Sequence, residues 1–248
     1  SSAASDVYKR QEGYYKQMRH ILEYQDGVSF FGTSTNWEEK VEMGEGRSFG
    51  LEVMVQKTLG KTTGWLAYTL AKTDHRFKNG AISLGKWFPY KYDRRHSISL
   101  CLNHKFSEHI DVGASWIFNT GGCITVPERE TIIIRPEGNT ESAPYISQRN
   151  NYRLPASHRL NLGINFNKKT KHGIRTWNIS VYNAYNAMNP NLVYSKWERG
   201  YDATNDYYDS IYQGNGNQYT PTNTKSKTKI KKLTILPCIP SVTYTYKF

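Results

Sequence analysis

The chain has 248 residues, enough for one large β domain or two small ones. Its net charge is +12, and its 14% aromatic content, with 19 Tyr and 6 Trp, suits β-structure. Mean hydropathy is −0.70 and no apolar run reaches the ~18 residues needed for a membrane-spanning helix. A transmembrane β-barrel is not excluded, because its strands are apolar only at alternate positions.

In chain order, Ser1–Gln11 fits no strand and is set aside as a junction or scar, leaving 12–248 as the folded portion. A first strand is expected over 12–24. The next, 45–58, alternates Phe49, Leu51, Val53 and Val55 with Gly50, Glu52, Met54 and Gln56. A turn around Gly60-Lys61 leads to 63–77, where Leu66, Tyr68 and Leu70 share one face. The clearest pattern is a long strand over 88–106. One of its faces reads Phe88, Tyr90, Tyr92, Arg94, His96, Ile98, Leu100, Leu102, His104, Phe106; the other carries Lys91, Asp93, Arg95, Ser97, Ser99 and Asn103. A period of two places these sets on opposite faces. Strands follow at 109–120, 157–169 (Leu160, Leu162, Ile164 and Phe166 against Arg159, Asn161, Gly163 and Asn165), 173–188 and 230–248.

These patterns predict an all-β antiparallel sheet of about eight up-and-down strands, each apolar toward lipid and polar toward a lumen, with aromatic ends at the two interfaces. Short turns at 58–63, 107–108 and 168–173 alternate with long loops at 25–44, 78–87, 121–156 and 189–229. That alternation orients an outer-membrane barrel, with short turns periplasmic and long loops extracellular. The lumen-facing candidates are Glu52, Lys91, Asp93, Arg95, Asn161 and Asn165. The loop 189–229 holds Tyr194, Trp197, Tyr201, Tyr207, Tyr208 and Tyr212, which serve either ligand contact or loop and interface packing. Pro237 and Pro240 imply a bulge or an edge near the start of the last strand. Val242, Tyr244, Tyr246 and the terminal Phe248 have the phase of a C-terminal barrel-assembly signal.

The positive charge reads as solvated loops and lumen, or as attraction to polyanions. Nucleic acid is disfavoured, because aromatics and charges segregate to different faces instead of interleaving. Cys101, Cys123 and Cys238 are odd in number and lack metal-site spacing, so no disulfide framework, metal or cofactor is expected. Asp93-Arg94-Arg95-His96 resembles catalytic machinery, but neighbours on a strand diverge; the reading is a lumen ion pair, Asp93 with Arg95. His104, Ser107 and His109 cluster beside a short turn, the wrong end for an outer-membrane enzyme. No nucleophile motif, H-E-x-x-H, P-loop or G-x-G-x-x-G occurs, so no enzyme is expected. No apolar leader opens the chain, so it reads as a mature product or as lacking its beginning.

Several segments resemble the barrel of a TonB-dependent outer-membrane receptor of the Bacteroidetes type. They are Phe88-Pro89-Tyr90-Lys91-Tyr92-Asp93-Arg94-Arg95-His96, Gly46-Arg47-Ser48-Phe49-Gly50-Leu51-Glu52, Gly64 to Lys72, Tyr182-Asn183-Ala184-Tyr185-Asn186-Ala187-Met188-Asn189-Pro190 and Ile239 to Phe248. The resemblance implies the C-terminal part of a plugged barrel of about 22 strands, placed in the cell outer membrane of a Gram-negative bacterium. It implies import of an iron chelate, cobalamin or a glycan, driven through a plug domain by the TonB complex. The implied partners are outer-membrane lipid, that plug and the barrel-assembly machinery. The lumen-facing candidates would then line the channel against the plug. Isolated, eight such strands should form an open sheet. The alternative is a stand-alone eight-stranded barrel with an adhesion or structural role.

Overall fold

The computed structural model describes residues 6–26, 36–134, 140–190, 192–199 and 226–248. Its first three strands are β1 (Val7–Tyr24), β2 (Val41–Lys57) and β3 (Thr62–Arg76). A two-residue strand, β4 (Phe88–Pro89), precedes β5 (His96–Lys105) and β6 (Ile110–Asn119). The next long connection holds β7 (Cys123–Ile124), β8 (Arg129–Ile134), β9 (Thr140–Tyr145) and β10 (Tyr152–Arg153). Then come β11 (Ser157–Thr170), β12 (Gly173–Tyr182), β13 (Leu192–Arg199), β14 (Ser226–Leu233) and β15 (Ile239–Lys247). Two single 3-10 turns, Trp37–Lys40 and Ser83–Gly85, are the helical elements among the described residues.

The main sheet runs β1-β2-β3-β5-β6-β11-β12-β15, with β4 added beside the end of β3. All its pairs are antiparallel and consecutive along this path, so it is an up-and-down meander. The sheet is not closed; β1 and β15 each have one neighbour. Three small ribbons, β7–β10, β8–β9 and β13–β14, stand apart from it.

Short turns join β2 to β3, β5 to β6 and β11 to β12, and long connections join the other ends. Gly60, at φ +93° in the first of these turns, occupies backbone space that a side chain would strain. The two ends of the sheet are therefore unlike: one of short turns, one of long loops.

Register decides the faces. Leu51 stands opposite Leu70, Val53 opposite Tyr68 and Val55 opposite Leu66. Leu66 faces Leu100, and Leu100 faces Trp116. Trp116 faces Leu160, Leu162 faces Val181, and Ile179 faces Val242. One apolar face thus continues from β2 to β15. It is open to solvent: Leu66, Leu102, Leu162, Trp177, Ile179 and Val242 are all exposed, Trp177 at 52%. β1 does not extend it, since Lys9, Gln11 and Gly13 align with Val55, Val53 and Leu51.

Aromatic residues bound this face at both ends. Toward the long loops lie Tyr15 with Phe49 (ring centroids 6.5 Å apart), Tyr68 with His96 (6.2 Å) and Trp116 with Phe118 (6.1 Å). His158 joins that row against Tyr185 at 5.4 Å, and the Tyr185 hydroxyl accepts the Trp116 indole N–H at 3.1 Å. Toward the short turns lie His104 with Phe106 (4.5 Å), Trp177 with Tyr244 (4.9 Å) and Tyr246 with Phe248 (6.2 Å). On β5 the two rows are marked by His96 and His104; at ~3.3 Å per residue they are about 26 Å apart.

No apolar layer covers either face among the described residues. The buried apolar cluster is Phe77, Ile82 and Phe88, packed on Ile21 beyond the aromatic row at the long-loop end. Gly44 lets it close, since a Cβ there would meet Phe77 Cδ1 at 2.5 Å.

Five strand boundaries differ from the sequence reading by more than a residue, the smallest of these shifts being that β2 begins at Val41 and not at 45. The first strand begins at Val7, and Val7–Gln11 pair with Val53–Lys57, so five of the six described residues of the segment set aside are in the sheet. The span 88–106 is not one strand: it breaks at Tyr90–Arg95, where the Asp93 N–H turns back to the Tyr90 carbonyl at 2.9 Å. The strand expected over 173–188 stops at Tyr182, because Asn183 and Asn186 adopt φ +54° and +52°. In 230–248, residues up to Leu233 belong to β14, and β15 begins after Pro237, at the sheet edge, where Pro240 pairs with Val181.

Candidate functional site

Polar side chains that lie apart in the sequence converge at the long-loop end. Asp93 is the most enclosed charged side chain among the described residues, at 2% exposure. Its Oδ1 accepts the Thr73 backbone N–H at 2.7 Å, and its Oδ2 accepts Arg95 Nε at 3.0 Å. Arg153, from β10, donates to the same Oδ2 and to the Asp93 carbonyl. Asp93 thus fixes the turn that interrupts the expected strand, and its one carboxylate is shared by two guanidinium groups.

A second group joins β1 to the 146–151 segment. Arg149 donates from Nη1 to Glu23 Oε2 at 2.8 Å, from Nη2 to Asp26 Oδ1 at 2.6 Å, and from Nη2 to the Tyr24 carbonyl at 2.8 Å. Its own N–H donates to Ser83 Oγ at 2.9 Å. Glu23 Oε1 also contacts His75 Nδ1 at 3.1 Å. Burial pushes the Glu23 carboxyl up, but the hydrogen bonds from His75 and Arg149 more than offset that, so it sits below the ordinary carboxylate range. The His75 ring stacks on Tyr90 with centroids 4.4 Å apart. Met18, Glu23, His75, Tyr90, Lys91 and Arg149 help line a cavity of about 740 Å³.

A third group lies above the apolar face on the same side of the sheet. Arg47 and Lys72 bracket Asp74 at 3.0 and 3.2 Å, and Arg76 Nε donates to Glu45 at 2.8 Å. Both arginines stack over the Trp87 ring, at 4.3 and 4.8 Å. The bond from Arg76 holds the Glu45 carboxyl below its usual value. One face of β2 and β3 therefore changes from apolar to ionic past Phe49 and Leu70.

The other face of the sheet is a network of amides and hydroxyls. Asn161 Nδ2 donates to Ser115 Oγ at 3.1 Å, Asn165 Nδ2 to Asp111 at 2.7 Å, and Asn178 Nδ2 to Asn165 Oδ1 at 2.6 Å. Thr176 Oγ1 donates to Asn167 Oδ1 at 2.8 Å. At the short-turn end this face opens into a second cavity, of about 720 Å³, rimmed by Lys61, Lys105, Lys169 and Lys247. Glu108 pairs with Lys169 there at 3.0 Å, and that contact lowers its carboxyl pKa.

Of the lumen-facing candidates, Glu52, Asn161 and Asn165 lie on this polar face, Glu52 opposite Glu12 and Thr69. Lys91, Asp93 and Arg95 do not line a strand; they belong to the turn, with Lys91 Nζ 4.9 Å from the Tyr92 ring centroid. The Asp93–Arg95 ion pair is present at 3.0 Å. Tyr194 and Trp197 lie in β13, paired with Lys231 and Thr228 of β14. Tyr201, Tyr207, Tyr208 and Tyr212 lie outside the described residues. Val242 and Tyr244 join the apolar face beside Ile179 and Trp177; Tyr246 pairs with Arg175 and meets Phe248.

The sequence reading missed Glu23, His75, Arg149 and Arg153, which converge only through folding. Among the described residues no His, Cys, Asp and Glu group could hold a metal ion. Cys123 is buried, and burial pushes its thiol pKa up. No protein-family model matches the chain, and no curated protein matches it.

Two outcomes are expected. Asp93→Asn leaves Arg95 and Arg153 without their shared carboxylate and should lower stability by about 3 kcal/mol, read as a urea midpoint shift. For Glu23, the folded pKa lies below the reference value of 4.5, so its contribution is complete above about pH 4.5 and is lost as pH falls through the folded value. Urea midpoints of Glu23→Gln and the unaltered chain should therefore differ at pH 7 and converge toward acid pH.

Proposed function

We propose that this chain forms part of the wall of an outer-membrane transport barrel of the TonB-dependent receptor type. The observation that carries this reading is the exposed apolar face. It is continuous over seven strands and bounded by aromatic rows about 26 Å apart along the strands, which at the ~35–45° tilt of barrel strands spans about 20 Å of membrane, within the ~25 Å apolar band of outer-membrane barrels. Soluble monomers rarely expose contiguous apolar patches beyond a few hundred Å². The opposite face is polar and internally hydrogen-bonded, as a lumen wall would be, and the buried apolar cluster lies outside the band. The ionic groups of the long-loop end then stand beyond the membrane, at the mouth where substrate would be captured for active import. The receptor assignment rests on the sequence resemblance, and the role in catching an iron chelate, cobalamin or glycan follows from it.

The membrane part is tested with single-tryptophan variants reconstituted into vesicles containing brominated lipid. Trp116 and Trp177 lie on the apolar face, whereas Trp65 pairs with Cys101 and Gln56 on the polar one. Fluorescence of Trp116 and Trp177 should be quenched and that of Trp65 spared. Equal quenching of all three, or a chain that stays folded and monodisperse without detergent, overturns the reading. The receptor part is tested by the coding sequence upstream of this chain. Further alternating strands preceded by a plug support it, and a signal peptide immediately before the first strand replaces it with a small stand-alone barrel.

A further inference from the structure

A third cavity, of about 330 Å³, opens on the polar face at the long-loop end, where β6, β11 and β12 meet. Across the ladder Ser157 pairs with Asn119, and Arg159 with Ile117, so Ser157, Asn119 and Arg159 present to the same side. The Arg159 guanidinium lies over the Tyr182 ring, its Cζ 4.3 Å from the centroid, and its Nη1 donates to the Tyr182 hydroxyl. Its Nε is buried without a hydrogen-bond partner.

Two features make this cavity unlike the ionic clusters beside it. Among the described residues that line it there is no Asp or Glu, so Arg159 brings a positive charge that no described carboxylate there offsets. An enclosed charge without a partner is costly unless something compensates it. The second feature is donor supply. Asn119 Oδ1 is occupied by Ser97 Oγ at 2.7 Å, which leaves the Asn119 amide N–H₂ available to a ligand. Ser157 adds a hydroxyl. Asn183 and Asn189, also in the lining, are committed to the backbone: Asn189 closes both polar groups of His158, at 2.8 and 2.7 Å, and Asn183 bonds Ala187 and Leu236. The remaining wall is apolar, formed by Ile117, Pro190 and Leu236.

We propose that this cavity binds a small organic acid, with its carboxylate among Arg159, Ser157 and Asn119 and its apolar body against Ile117, Pro190 and Leu236. A carboxylate supplies the missing negative charge and accepts from several donors at once. The volume is at the low end of the ~300–1,000 Å³ of ligand pockets, which fits an acid of a few carbons and not a glycan or a large chelate. The assignment goes beyond the wall-forming role and needs only this cavity.

The test is calorimetric titration of the full chain, folded in detergent micelles, with 3-methylbutanoate. The expected result is saturable one-site binding. The isosteric neutral 3-methylbutanamide should bind at least about tenfold more weakly. Asn119→Asp places a carboxylate beside Arg159 without changing volume and should weaken 3-methylbutanoate by a similar factor, as should Arg159→Gln. Far-UV circular dichroism confirms that each variant is folded, and Asn119→Asp keeps the test decisive if Arg159→Gln does not fold. Absence of saturable heat, equal binding of acid and amide, or unchanged affinity in Asn119→Asp overturns the proposal. Tighter binding of inorganic phosphate than of the acid overturns the carboxylate assignment. Titration in micelles does not depend on insertion into lipid, so its failure and that of the membrane reading are distinguishable.

Discussion

The strands from β2 to β15 carry apolar residues at alternate positions, and the ladder register keeps those positions in line from Leu51 to Val242. The rest of the molecule depends on this alignment. A slip of one residue at any pair would turn that strand's apolar set to the opposite face. On the polar side it would break the bonds from Asn161 to Ser115 and from Asn165 to Asp111, which require the same pairing. The two faces therefore enforce one register by different means, one by shared hydrophobicity and the other by specific hydrogen bonds.

With no apolar layer under the sheet, order at the long-loop end rests largely on buried polar contacts. Asp93, Arg149 and Asp74 each act as a node to which two or more segments attach. Such nodes stabilise only while complete, because a charge left behind in a dry setting costs several kcal/mol. The ionic long-loop end is thus more specific than a greasy core would be and less tolerant of single losses. Phe77, Ile82 and Phe88 add a small conventional core at the same end.

Most of the sheet was legible in the sequence because period two persists in each long strand and turn signals such as Gly60-Lys61 separate them. The reading failed where alternation continued into a turn. Tyr90, Tyr92 and Arg94 kept the phase of a strand, and nothing local shows that Arg153, 60 residues on, pulls Asp93 inward. Val7–Gln11 was missed for the opposite reason: Lys9, Arg10, Gln11 and Glu12 are polar on both sides, and only pairing with β2 makes the segment a strand. The end of β12 had a visible cue, since Asn183 and Asn186 are residues that tolerate positive φ. The Glu23–His75–Arg149 cluster had none, because its members come from three distant segments and match no spacing rule.

The meander order has a consequence for how such a sheet is made. Each long strand lies beside the one that precedes it along the sheet path, so the sheet can grow one hairpin at a time, and joining each short-turn pair encloses only a few residues. Strand addition is then local and quick to search. The clamp from Arg149 to Glu23 and Asp26 spans more than a hundred residues and can form only after the strands between them are laid down. Construction would thus proceed along the sheet, the clamp closing only once β6 is in place, and β15 would remain an open edge able to receive a further strand.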